Sequence, residues 1–157
     1  MKRLLSILLL AIAFAGFCRA DVTKLPAERR RALQDAGRFR AVATTGGLPA
    51  GVLALCVGEG GGMAEPGQKW QVTDVMMEKG LPIRRLIWAA VSDGLCVVHY
   101  ERGGFAHSFH IFIASTGKAG AKAEPVWRGV GQKLKDYAEF LDALRSGKLD
   151  DRQDYAH

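Results

Sequence analysis

Three of the four histidines in this 157-residue chain lie within twelve residues of one another, and they are its clearest candidates for chemistry. They are His99, His107 and His110, with Glu101 and Ser108 between them. Imidazole and carboxylate groups together can ligate a metal ion or move a proton. A serine beside a histidine can act as a nucleophile. Segment 99–110 is therefore the candidate functional segment.

The residues around this segment predict a β-hairpin, which limits what the histidines can do together. Leu95–Arg102 and Phe105–Ala114 are rich in β-formers and are separated by Gly103-Gly104, a turn sequence. Successive side chains of a strand point to opposite faces. His107 and His110 therefore cannot both reach one ion from a regular strand.

The turn length sets which side chains meet across the hairpin. A two-residue turn pairs Tyr100 with His107, a hydrogen-bonded couple on the core face, and makes His99 and His110 diagonal neighbours. The more polar face then carries the residues that we predict to bind a ligand: His99, Glu101, Ser108 and His110. A three-residue turn would instead place His99 opposite His107. We prefer the first register because it keeps each strand's apolar side chains on one face.

These residues support two hypotheses about function. The first is a non-catalytic binding module for a protein or small ligand, with no catalytic residue, metal or cofactor. The glycines of 58–62 lack the residues that follow a phosphate-binding loop, and nothing around Ser108 resembles a nucleophile elbow. The alternative is a small metal-assisted or general-base hydrolase that uses the histidines of the 95–114 hairpin.

The first 20 residues predict a cleavable signal peptide. Lys2 and Arg3 precede an apolar run from Leu4 to Phe17, which is too short for the roughly 20 residues of a membrane-spanning helix. Cleavage after Ala20 or after Ala15 fits the small-residue rule. We prefer Ala20, and we expect an exported protein, periplasmic or secreted, with no transmembrane segment after cleavage.

Cleavage also changes the charge of the chain. The formal net charge of +6 falls to +3 once Lys2, Arg3 and Arg19 are removed. Interspersed charges of that size give no footprint for nucleic acid, so the expected partner is a protein or a small molecule.

Two cysteines, Cys56 and Cys96, remain after the preferred cleavage. An even pair in an oxidising compartment predicts a disulfide between them. Both also lie in apolar runs, where a free thiol packs as a small hydrophobic residue.

The chain as a whole predicts an α+β domain over residues 21–147 and a polar tail over 148–157. An antiparallel meander of four to five strands follows an N-terminal helix or helices and precedes a C-terminal helix packed on the sheet. The predicted helices are Pro26–Ala36 and Gln132–Arg145, and the predicted strands are Trp70–Met76, Arg85–Val91, Leu95–Arg102 and Phe105–Ala114.

Overall fold

The structure, a computed structural model, describes residues 24–58, 61–74, 79–117 and 122–149. The predicted signal peptide and most of the polar tail lie outside these residues. The helices are α1 (Ala27–Gln34), α2 (Ala50–Val57) and α3 (Tyr137–Arg145), with short 3-10 turns at Ala36–Arg38 and Thr45–Gly47. The strands are β1 (Arg40–Val42), β2 (Arg84–Val91), β3 (Leu95–Arg102), β4 (Ser108–Ser115) and β5 (Glu124–Gly131).

The five strands form one antiparallel sheet in the order β1-β2-β3-β4-β5, as a meander. The predicted α+β class, with helices before the meander and a C-terminal helix packed on the sheet, is confirmed. The predicted strand Trp70–Met76 is wrong over its described part, 70–74, where Thr73 alone makes an isolated bridge to Gly104. The short edge strand β1 and the last strand β5 complete the sheet instead.

Both faces of the sheet are covered, and β3 shows why the sequence requires this. Leu95 and Val97 pack in the core layer that contains α1 and α3, whereas Cys96 and Val98 pack in the layer that contains α2. All four side chains are at most 3% exposed. A continuous apolar run suits a strand that is buried on two sides, since alternation would leave one face polar.

Helix α2 ends against two arginines, one from β2 and one from β5. Arg84 of β2 donates from Nη1 to the carbonyl oxygen of Val57 at 3.1 Å, and Arg128 of β5 donates from Nη2 to that of Leu55 at 3.2 Å. The last carbonyls of a helix lack partners and carry partial negative charge. The two guanidinium groups satisfy them and hold the helix on the sheet.

Cys56 of α2 and Cys96 of β3 are free, buried thiols in the same core layer. The predicted disulfide is therefore not present in the structure. Burial raises the pKa of each thiol to about 12, which keeps both protonated at neutral pH. They pack as the small apolar residues that their sequence context also suggested.

The β3–β4 connection has five residues, 103–107, so the predicted two-residue turn is wrong. Arg102 pairs with Ser108, three positions beyond the predicted partner. The glycines are held from outside the hairpin: the amide of Gly103 donates to Ile83 at 2.8 Å, and that of Gly104 donates to Val72 at 3.2 Å. These bonds draw the chain away from its own partner strand before it turns.

Gly103 is needed where it stands. A Cβ atom at this position would lie 2.0 Å from the carbonyl oxygen of Gln71, so any other residue would push segment 70–73 off the hairpin. The close approach of these two backbones builds the end of the sheet at which the candidate site lies.

Within the described residues, no helix is long and apolar enough to cross a membrane. The longest of them, α3, has nine residues.

Candidate ligand-binding site

The observed register separates the predicted site residues onto two faces of the sheet. His110 pairs with Tyr100, and their rings stack with centroids 5.1 Å apart and planes 9° apart. His110 therefore shares the α2 face with Tyr100, while His99, the preceding residue of β3, lies on the α3 face. The predicted diagonal pairing of His99 with His110, and the pairing of Tyr100 with His107, are both wrong.

His99 is fully buried and uses both of its ring nitrogens. Its Nδ1 lies 2.8 Å from the carbonyl oxygen of His110, and its Nε2 lies 3.0 Å from the amide nitrogen of Leu134. The amide can only donate and the carbonyl can only accept, so the ring is neutral with its proton on Nδ1. Burial lowers the pKa of His99 to about 4. His99 therefore joins β3, β4 and the segment before α3, and neither of its ring nitrogens is available to a ligand.

Glu101 lies on the same face and is 5% exposed. Its carboxylate accepts from Nε of Arg85 at 2.7 Å and contacts Nε2 of His107 at 2.8 Å. Trp70 packs over both partners, with its ring 5.1 Å from the Arg85 guanidinium and 5.3 Å from the imidazole of His107. The cluster ties the hairpin loop to segment 70–73. Both carboxylate oxygens are occupied by these contacts.

A cavity of about 420 Å³ opens on the α2 face, at the end of the β3–β4 hairpin. Its polar wall consists of Arg102, Ser108 and His110, and Gly103 and Gly104 contribute backbone. The apolar wall is made of Ile83, Phe105, Ala106 and Val130. An apolar pocket with a few convergent polar groups is the usual form of a small-molecule site. Of the four residues predicted to bind a ligand, the structure brings Ser108 and His110 together here.

Ser108 and His110 form a hydrogen-bonded couple in this wall, with Oγ and Nε2 2.8 Å apart. Burial, together with the positive charge of Arg102, lowers the pKa of His110 to about 4. The ring is thus neutral at pH 7. An imidazole with such a low pKa is a poor general base, because it gains little from taking the serine proton.

The charges around His110 are arginines. Arg102 lies directly opposite Arg84 in the β2–β3 register, and like charges in that position destabilise a sheet. Arg84 and Arg128 are bound to carbonyls of α2, as described above. Arg102 is half-buried and makes no ion pair with any residue in the described ranges. No acidic residue lines the cavity.

The rim of the cavity is hydrophobic. Among the described residues, the exposed large hydrophobic side chains are Val72, Ile83 and Phe105, and Phe105 is 96% exposed. Val72 and Ile83 accept hydrogen bonds from the two hairpin glycines, and Phe105 follows those glycines in the chain. All three therefore surround one end of the sheet. Hydrophobic residues grouped in this way mark interaction sites more often than scattered ones do.

Two of the three polar residues in the wall, Ser108 and His110, are among the residues predicted from the sequence to bind a ligand, but Arg102 is not. The sequence predicts only that Arg102 ends a strand. Its lack of an acidic partner among the described residues and its position opposite Arg84 are properties of the fold. The sequence predicts Phe105 as the first residue of a strand, whereas the structure places it in the β3–β4 connection. Its position directly after two glycines was a signal that it could instead be a loop tip.

No protein-family model, curated protein or solved structure matches this chain. In the parts of the chain that the structure describes, no group of three or more His, Cys, Asp or Glu residues is placed to hold a metal ion. The functional argument therefore starts from the α+β fold and from the cavity at the end of the β3–β4 hairpin.

Proposed function

We propose that this protein is an exported, non-catalytic binding module that holds a small ligand in the cavity at the end of the β3–β4 hairpin. One observation carries the proposal: Arg102, Ser108 and His110 line a cavity of about 420 Å³ whose other walls are apolar. Polar groups fix the orientation of a ligand in such a site, and apolar walls supply much of the binding energy.

Binding is favoured over catalysis by the state of the Ser108–His110 couple. A serine nucleophile needs a base that accepts its proton near neutral pH, usually oriented by a third group. The positive charges near His110 oppose its protonation. Glu101, the nearest carboxylate along the chain, lies on the other face of the sheet with Arg85 and His107.

Export is supported by the N-terminal sequence, in which two basic residues precede an apolar run and Ala20. N-terminal sequencing of protein recovered from a bacterial periplasm or culture medium tests this directly. We expect the mature chain to begin at Asp21. Recovery of a chain that still begins at Met1, in the cytoplasm, would contradict export.

The binding site can be tested by titrating purified, isotope-labelled protein with a panel of neutral, cationic and anionic small molecules and recording amide NMR shifts. We expect shifts at Ser108, His110 and Val130, which line the cavity. The variant Ala106→Trp, which fills the mouth from an exposed position, should abolish them. Ala138→Trp, on the exposed face of α3, is the matched control and should leave them unchanged. Binding that survives Ala106→Trp would contradict the site.

A small hydrolase is the second candidate, favoured only by the 2.8 Å contact between Ser108 and His110. Assays with a panel of short activated esters distinguish the two functions. Turnover that is lost in Ser108→Ala while the fold is retained would establish the hydrolase. Turnover no faster than buffer supports the binding module, whereas turnover that is unchanged in Ser108→Ala rules out Ser108 as the nucleophile.

A further inference from the structure

We propose that the ligand is an anionic amphiphile: a carboxylate on a hydrocarbon chain, with the carboxylate at Arg102 and Ser108 and the chain on the apolar wall. This inference rests on the proposed binding function and deepens it by naming the class of ligand. It is carried by three features of the described residues: an uncompensated cation, a serine hydroxyl beside it and a hydrophobic rim.

The cation is Arg102. Its neighbour across the strands is Arg84, a like charge, and no carboxylate lines the cavity to offset either of them. Arg84 is engaged by the carbonyl of Val57, which leaves Arg102 as the guanidinium available to a ligand. A guanidinium matches a carboxylate with two parallel hydrogen bonds. A bound anion would thus offset the repulsion between the Arg84 and Arg102 guanidinium groups.

The hydroxyl donor is Ser108, the direct partner of Arg102 in the β3–β4 register. His110 is neutral at pH 7, because burial and the nearby arginines lower its pKa to about 4. In the Nε2–H tautomer it donates to Oγ of Ser108 across the 2.8 Å contact. The serine O–H is then free to donate to a carboxylate oxygen held by Arg102. His110 acts here as a positioning residue for Ser108.

The hydrocarbon chain is favoured by what surrounds these polar groups. Ile83 and Val130 form the apolar wall next to Arg102, and Phe105 extends it into solvent. A small hydrophilic anion would leave this surface exposed to water. A hydrocarbon chain buries it, and removing that apolar surface from water favours binding.

The test is isothermal titration of the purified protein with eight-carbon ligands that differ only in the head group. We expect octanoate to bind more tightly than octanol, octylamine and octyl phosphate. Acetate, which carries the same head group without a hydrocarbon chain, should bind weakly. Arg102→Gln should weaken octanoate on the order of tenfold or more while leaving octanol unchanged, since it removes one charge-assisted contact. Arg40→Gln, an exposed arginine of β1, is the matched control and should leave both affinities unchanged.

The outcomes separate this inference from the proposed function. Octanol or octyl phosphate binding as tightly as octanoate, or Arg102→Gln without effect, would overturn the carboxylate while the binding module stands. Failure of every ligand to bind at the cavity would overturn both. A tripeptide with an apolar C-terminal residue, compared with its C-terminal amide, distinguishes a chain terminus from a free fatty acid as the source of the carboxylate. Loss of binding on amidation supports the same head-group chemistry.

Discussion

The backbone amide of Leu134 donates a hydrogen bond to Nε2 of His99 across 3.0 Å, in the buried layer between the sheet and α3. The carbonyl oxygen of the same leucine accepts from Nε1 of Trp88 at 2.9 Å. Leu134 lies in the connection between β5 and α3, and its own side chain is 1% exposed. Trp88 and His99, both in the sheet, thus satisfy the carbonyl and the amide of Leu134, which lies outside it. These two hydrogen bonds hold the segment from which α3 begins.

Replacing His99 with leucine tests this relationship. His99→Leu removes the hydrogen-bond partner that the ring gives to the Leu134 amide and to the His110 carbonyl. Each buried group left unpaired costs about 1–3 kcal/mol, so for the two groups together we expect a loss of about 2–6 kcal/mol in the free energy of unfolding. Denaturant unfolding measures the loss. His107→Leu, at a half-exposed ring, is the control and should cost less. Equal losses in the two variants would contradict the assignment.

The buried histidines make stability depend on pH. The folded-state pKa of both His99 and His110 is lowered to about 4 by burial, below the ordinary value of 6.5. The unfolded chain therefore takes up protons at a higher pH than the folded chain does. Their stabilisation is fully present above pH 6.5 and is lost as pH falls toward 4.

For His99 alone this amounts to about 3 kcal/mol, at 1.36 kcal/mol for each pH unit. Unfolding free energies measured between pH 7 and pH 4.5 should fall steadily, and the fall should be smaller in His99→Leu. A flat profile from pH 7 to pH 5 would show that these rings are not neutral and buried in the folded protein.

Glu101 provides a contrast between a buried and an exposed ion pair. Glu101→Gln leaves Arg85 and His107 facing a neutral amide, and breaking a buried pair in this way typically costs about 3–5 kcal/mol. Both partners are partly exposed, so we expect a loss near the lower end of that range. Asp142→Asn breaks the exposed pair with Arg145 and should cost less than about 1 kcal/mol. Thermal unfolding of the two variants measures both losses. Equal losses would show that the Glu101 carboxylate contributes no more to stability than the solvated carboxylate of Asp142.

The alternating and apolar patterns were sufficient to predict the three central strands of the sheet, β2, β3 and β4. Leu95–Arg102 was predicted with the bounds that the structure gives, because turn residues flank it on both sides, Ser92-Asp93-Gly94 before it and Gly103-Gly104 after it. Segment 70–76 has equally β-like composition. Its described part instead lies across Gly103, where a backbone contact replaces strand pairing. Composition alone cannot reveal such a contact, since it joins residues about 30 positions apart.

The site could be predicted only in part, because it depended on the register between β3 and β4. Gly103-Gly104 predicts a tight turn by local rules, but the bonds from these glycines to Ile83 and Val72 are long-range. The resulting shift moved His110 to the face opposite His99. Ser108 and His110 stayed together because they are two positions apart on one strand, a relationship that no register can change.

The uncompensated charge of Arg102 predicts a variant that gains stability. Arg102→Gln removes the repulsion from Arg84 across the β2–β3 pair, and cross-strand pairs are worth roughly 0.2–1 kcal/mol. We expect the free energy of unfolding to rise by about that amount at low salt. The gain should shrink in 1 M salt, where charges are screened within about 3 Å. A loss of stability would mean that Arg102 serves the fold rather than a ligand.

The most direct test is a crystal structure of the purified protein grown with octanoate. We predict electron density in the cavity beside Ile83 and Val130, with the carboxylate within hydrogen-bonding distance of the Arg102 guanidinium and of Ser108 Oγ. Octanoate found only elsewhere, with the cavity filled by solvent, would contradict the account.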